Sequence, residues 1–176
     1  NSIGTRNLLA SLRLKNLKNF IYFSTFHVYG KNSGTINENC FVNPKNDYSS
    51  THLFAEYYIK QFHYSDNLQY TILRLTNSYG SPSFINSDKW YLVLNNLVKM
   101  AVEKKIIILN SNGKIRKDFI GMNDVAAITE KILKIKATNE IYNLSSNKSF
   151  KILEIAKNVK NVYEKRYKSK IKIIKN

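Results

Sequence analysis

The stretch Asp47-Tyr48-Ser49-Ser50-Thr51-His52-Leu53-Phe54-Ala55-Glu56 opens the segment whose reading decides the fold. Leu53, Phe54, Tyr57, Tyr58 and Phe62 recur at helical spacing, which predicts an amphipathic helix from Tyr48 to Tyr64. Upstream, Asn19-Phe20-Ile21-Tyr22-Phe23-Ser24 is an aromatic, strand-like run. Downstream, Tyr70-Thr71-Ile72-Leu73-Arg74-Leu75 reads as a buried strand that ends in the turn-rich Asn77-Ser78-Tyr79-Gly80-Ser81-Pro82. A helix between two apolar strands is the repeating unit of a parallel sheet.

The same alternation extends in both directions. Ile3, Leu8, Leu9, Leu12 and Leu14 predict a helix before the first strand, and Thr25 to Asp47 is a polar connection long enough to be functional. After Pro82 a helix is expected from Trp90 to Glu103, then a strand at Ile106–Leu109, a turn at Asn112-Gly113 and a short extended run through Phe119 and Ile120. A helix from Asn123, as its cap, to Ile135 follows, then a strand at Ile141–Leu144, a helix from Ile152 to Tyr163 and a last strand from Ile171 to Ile174. The fold class predicted is α/β, a partial Rossmann-type parallel sheet flanked by helices with a small C-terminal substrate-binding part.

Composition narrows the function classes. The 176 residues are 43% hydrophobic, enough for a sizeable core, and no apolar run reaches the roughly 18 residues of a membrane span. A soluble, cytoplasmic protein with no membrane partner is expected. The single cysteine, Cys40, precludes an intrachain disulfide and reads as structural, and three histidines form no metal-ligand pattern, so no metal is expected. The charge of +16 raises the possibility of nucleic-acid binding. Lysines nevertheless outnumber the five arginines and lie scattered among Asn and Ile, and the densest basic cluster, Lys165 to Lys175, has the composition of a solvated face. The absence of an initial methionine suggests a fragment or a processed chain.

Tyr48 and His52 stand at i and i+4 and so share one helix face. A free phenol has a pKa of about 10, and a neighbouring cation or a helix N-terminus favours its ionised form, so Tyr48 is a candidate acid/base. Thr25, at the strand end, is placed to hydrogen-bond and orient the reacting oxygen. Each residue alone has an ordinary structural reading; their order gives them weight.

In that order the chain resembles the extended short-chain dehydrogenases, especially the NAD-dependent nucleotide-sugar epimerases and dehydratases. Phe20 to Thr25 followed by Val28-Tyr29-Gly30 is similar to the family strand that delivers a catalytic Ser or Thr, which implies Thr25. Tyr48 matches the tyrosine of the family's Tyr-x-x-x-Lys signature, with Glu56 where that helix usually carries Glu. Arg74-Leu75-Thr76-Asn77-Ser78-Tyr79-Gly80 resembles the segment that passes the nicotinamide and positions substrate, which implies cofactor contacts from Tyr48, His52, Leu75 and Thr76 and a substrate contact from Asn77. Lys117-Asp118-Phe119-Ile120, Asp124-Val125-Ala126 and Tyr142-Asn143-Leu144 resemble the later motifs in sequence.

Three departures qualify the resemblance. The signature lysine is His52, which at an ordinary pKa near 6.5 is mostly neutral at pH 7 and gives Tyr48 less electrostatic help. The substrate-phosphate arginine is Lys117, preceded by Arg116, so either or both are expected to hold a diphosphate, unless they are only an exposed basic pair. Phe26 and His27 replace the acid pair of the dehydratases, which favours epimerase or reductase chemistry.

The resemblance also places the chain after the Gly-x-x-Gly-x-x-Gly turn that binds a dinucleotide pyrophosphate; none of the six glycines here has that spacing. The expected organisation is therefore residues 1–80 as the C-terminal half of a dinucleotide-binding domain and 81–176 as mainly substrate-binding, with 121–145 returning to the sheet. The implied function is an NAD(P)-dependent nucleotide-sugar epimerase or related oxidoreductase or dehydratase, homodimeric when complete. The 176 residues alone would have an unpaired apolar edge at Phe20–Ser24, would bind NAD or NADP poorly and would show little activity. The rival reading is a non-catalytic binding or regulatory protein that retains the fold.

Overall fold

A computed structural model describes residues 1–13, 15, 17–31 and 33–175. The chain divides into two compact units, 1–76 with 124–145, and 77–123 with 146–176.

The first unit is a parallel sheet in the order β1-β2-β6, built from β1 (Phe20–Thr25), β2 (Tyr70–Leu75) and β6 (Glu140–Leu144). Register runs Phe20 to Tyr70 and Thr25 to Leu75 on one side of β2, and Thr71 to Glu140 and Leu75 to Leu144 on the other. Tyr70 to Arg74 are all buried, as a central strand covered on both faces requires. Among the described residues β1 pairs only with β2 and is an edge strand.

Helices α1 (Ser2–Leu12) and α2 (Asp47–Asp66) pack on each other, and Leu9 and Ile59 meet Tyr70 and Ile72 in one apolar cluster. Helix α1 ends earlier than its apolar pattern suggests, and Leu14 lies outside the described residues. Helix α2 starts where its sequence chemistry dictates: the Asn46 side chain accepts from the Ser49 amide at 2.9 Å, and Ser49 Oγ accepts from the Asn46 amide. Asn67, in the left-handed region, stops it.

The described residues that follow β1 pack into a small apolar cluster. Phe26–Tyr29 forms a 3₁₀ turn whose Val28 and Tyr29 are buried with Leu53, and Ile36, Cys40 and Val42 close over them. Gly30 follows with φ of 61°, and a Cβ there would stand 1.8 Å from the Asn43 carbonyl oxygen, so only glycine fits.

The second unit contains β3 (Asn77–Tyr79), β5 (Arg116–Gly121) and β7 (Ser149–Lys151) in one small sheet, and β4 (Ile106–Leu109) with β8 (Lys172–Lys175) in another. Among the described residues four of the five strand pairs are parallel; β5 with β7 is antiparallel. Helices α3 (Val93–Lys99) and α5 (Ile152–Tyr167) enclose a core of Leu97, Ile107, Leu109, Phe119, Ala156 and Ile171.

Two expectations need correction here. The single helix expected from Trp90 to Glu103 is three pieces: a 3₁₀ turn at Asp88–Tyr91, α3, and a π-turn at Met100–Lys104. Extended Leu92 separates the first two, and Trp90 Nε1 donates to the Ile85 carbonyl at 2.9 Å instead of facing a continuous helix. Helix α4 (Met122–Leu133) starts directly from β5, so Asn123 lies within its first turn and is not its cap. The short strands β3 and β7 had no apolar alternation to announce them. No helix among the described residues is long and apolar enough to cross a membrane.

Candidate active site

In the first unit the site is built where β1 and α2 meet. The Asn46–Ser49 capping box sets the phase of α2, which leaves Tyr48 in its first turn and His52 one turn later. Their rings meet edge-on with centroids 4.6 Å apart, and the His27 ring lies 6.1 Å from Tyr48. Tyr48 is 54% exposed, whereas His52 is half-buried.

Two side chains of β1 reach α2 in successive steps. Tyr22 Oη lies 2.9 Å from His52 Nδ1, and Ser24 Oγ donates to Glu56 Oε1 at 2.5 Å. Tyr22 and Ser24 are two apart on a strand, and His52 and Glu56 four apart on a helix, so the two pairs stack. Glu56 is fully buried and receives Arg74 from β2 through two hydrogen bonds, while the Arg74 guanidinium covers the Tyr29 ring at 4.8 Å. Tyr29 Oη donates to Asn143 Oδ1 at 2.7 Å, and the Asn143 amide donates to Glu38 at the same distance.

These surroundings change proton affinities. Burial, followed by the negative charge of Glu56, pushes the Tyr22 phenol up to about 12. Burial holds His52 below its ordinary value, with Glu56 opposing. Both groups are neutral at pH 7.

Thr25 is buried at the end of β1, opposite Leu75 in register, and its hydroxyl accepts the His27 amide at 3.3 Å. The Thr76 amide and hydroxyl both donate to the Leu144 carbonyl, at 3.0 and 3.3 Å. Tyr48, His52, Thr25 and Leu75 thus belong to one unit, with the two ring side chains in direct contact. Sequence reasoning missed Tyr22 and Ser24; an aromatic and a hydroxyl two apart on the strand before Thr25 were the available signal.

In the second unit Asn77 Nδ2 donates to the Asp118 carbonyl at 2.9 Å. Arg116 directs Nε at Ser149 Oγ, 3.1 Å away, and Nη2 at the Ser149 carbonyl, 2.5 Å away, so its guanidinium already ties β5 to β7. Lys117, paired with Phe150 in the antiparallel register, is half-buried. Asp118 accepts from the Ser146 and Lys148 amides and the Ser146 hydroxyl, fixing the turn before β7.

The sequence profile of the NAD dependent epimerase/dehydratase family matches residues 1–145, and the chain belongs to that family. It is 26% identical over 174 residues to dTDP-D-glucose 4,6-dehydratase of Dictyostelium discoideum, covering 92% of this chain and 39% of that protein. Among solved structures, UDP-glucuronic acid 4-epimerase of Bacillus cereus in complex with UDP-glucuronic acid and NAD superposes with a TM-score of 0.80 at 26% identity, over 99% of this chain and 54% of that one. UDP-N-acetylglucosamine 4-epimerase of Methanobrevibacter ruminantium shares the fold at a TM-score of 0.86 and 23% identity, over 100% and 56%. The chain spans about half the length of the curated relatives it matches.

Proposed function

We propose that this chain carries the catalytic tyrosine and the substrate-binding part of an NAD(P)-dependent nucleotide-sugar epimerase or related sugar-nucleotide oxidoreductase. The observation that carries the reading is the Tyr48–His52 ring pair on the first turns of a capped helix, in the same compact unit as Thr25 at the end of a parallel strand.

The family's cofactor is a nicotinamide dinucleotide, and the donors present suit one end of it. A phenol and an imidazole one turn apart are hydrogen-bond donors matched to sugar and ribose hydroxyls. When bound, the nicotinamide would accept a hydride from a sugar carbon and return it. Tyr48 Oη would take the proton from the hydroxyl of that carbon and give it back, and Thr25 would hold the same oxygen in line. His52 would orient rather than charge the site. Asn77 and Lys117 would hold the nucleotide sugar, with Arg116 beside them.

Phe26 and His27 follow Thr25 directly, so no carboxylate pair is available there for water elimination; this supports epimerisation or reduction over dehydration. We assign the first unit to the cofactor side and the second mainly to the substrate side. The 176 residues by themselves are proposed to turn over little, because none of their six glycines has the spacing of a pyrophosphate-binding turn.

The test is to incubate the protein as its source produces it with NAD or NADP and a panel of UDP- and dTDP-hexoses, and to follow products by chromatography. Interconversion of epimers supports the reading. Nucleotide-sugar binding without conversion, across the panel and both cofactors, would replace it with that of a binding protein.

A further inference from the structure

His52 occupies the position at which the resembled family carries lysine, and a neutral imidazole there differs from an ammonium in one decisive respect. An ammonium presents three equivalent donors and a charge, whereas a neutral imidazole has one donor and one acceptor, and which nitrogen is which depends on the partner of the other. In this chain the partner is explicit: Tyr22 Oη stands 2.9 Å from Nδ1.

The direction of that hydrogen bond follows from relative acidity. Both groups are uncharged at pH 7, and between them the phenol is the stronger acid and the imidazole nitrogen the stronger base. The Tyr22 proton therefore points at Nδ1. Tyr22 itself is held on β1 two residues before Ser24, whose bond to buried Glu56 locks the same helix face. The ionisable groups facing His52 are Tyr22 from β1, Tyr48 and Glu56 from its own helix, and the Asn1 amino group.

We propose that Tyr22 is a positioning residue that fixes His52 as the Nε2–H tautomer, so that a single neutral, directed N–H donor replaces the family's lysine beside Tyr48. The hydrogen bond to Nδ1 removes the choice of tautomer and restricts rotation of the ring. What is lost in charge is partly offset by orientation, because a donor already aimed at a ligand hydroxyl has less freedom to lose on binding. The functional side of this inference rests on Tyr48 being the acid/base; the tautomer itself does not.

The experiment is side-chain 15N NMR of histidine-labelled protein at neutral pH, with Tyr22→Phe alongside and His52→Gln to assign the signal among His27, His52 and His63. The expected wild-type result is an unprotonated, hydrogen-bonded Nδ1 and a protonated Nε2. In Tyr22→Phe the two resonances should move toward each other as both tautomers become populated. A wild-type His52 protonated at Nδ1, or a Tyr22→Phe spectrum with the same pure tautomer, would overturn the proposal. The wild-type spectrum decides even if the variant fails to fold. A purely structural role for Tyr22 would change stability without moving the tautomer. If Tyr48→Phe leaves turnover of the complete enzyme intact, the catalytic reading fails and the tautomer assignment still stands or falls on its own spectrum.

Discussion

Glu56 grips Arg74 with both carboxylate oxygens, Oε1 at 3.0 Å from Nε and Oε2 at 2.6 Å from Nη2, and the two side chains are only 1% and 4% exposed. Ser24 adds a third hydrogen bond to the same carboxylate. This buried node joins β1, α2 and β2, and it anchors the helix that presents Tyr48 and His52.

Breaking the node from one side should be expensive. Glu56→Gln keeps the volume but leaves the Arg74 charge without its counter-ion, and removing one partner of a buried pair costs about 3–5 kcal/mol. Urea unfolding should show that loss as a lower midpoint at unchanged slope. The double replacement Glu56→Leu with Arg74→Met should recover most of it, because neither charge is then buried alone.

Gly30→Ala should destabilise by about 1–3 kcal/mol, since alanine is strained at positive φ and its Cβ would collide with the Asn43 carbonyl. That carbonyl belongs to the residue whose amide donates to Val28, so relief of the clash would pull the loop from the Val28–Tyr29–Leu53 cluster. A lower melting temperature with increased proteolysis between Thr25 and Asp47 is the expected signature.

The sheet of the first unit and α2 were legible because their patterns are strong: Tyr70, Ile72, Leu73 and Leu75 make a mainly apolar run, and α2 carries an apolar stripe at helical spacing. The broken helix after Ser87 was not, because Leu92 is a good helix former whose extended backbone is set by its surroundings rather than its type. Tyr48 and His52 were legible as a pair from their spacing of four. The roles of Tyr22, Ser24 and Arg116 were not, because each depends on a partner 30 or more residues away, which no local pattern reveals.

Tyr48→Phe removes the proposed proton carrier and keeps the ring that packs on His52. In the complete enzyme, turnover should fall by about 10²–10⁴-fold, the usual contribution of a positioned acid/base, while binding of the nucleotide sugar is retained. Equal losses in turnover and binding would instead mark Tyr48 as a packing residue.

Of the basic pair on β5, Lys117 should matter more for binding. The Arg116 guanidinium is already engaged with Ser149 on β7, so Arg116→Met should act mainly on stability. Lys117→Met should weaken nucleotide-sugar binding by about ten- to a hundredfold, as expected for one charge-assisted hydrogen bond of roughly 1.5–3 kcal/mol. Calorimetric titration of both variants separates the two effects.

The half-buried imidazole of His52 also makes a prediction about pH. Burial lowers its pKa in the folded state below the ordinary 6.5, so between those two values the unfolded chain binds the proton more readily than the folded one. Stability from keeping His52 neutral is therefore fully present above about pH 6.5 and is lost as pH falls through that value toward the folded pKa. Protonation would also place a hydrogen on Nδ1, where the Tyr22 hydroxyl now donates, so the 2.9 Å contact must reverse or break at the same step. Urea midpoints measured between pH 7.5 and 5 should decline for the wild type. They should decline less for His52→Gln, which has no imidazole to charge at that position; identical slopes would mean that the pH dependence originates elsewhere.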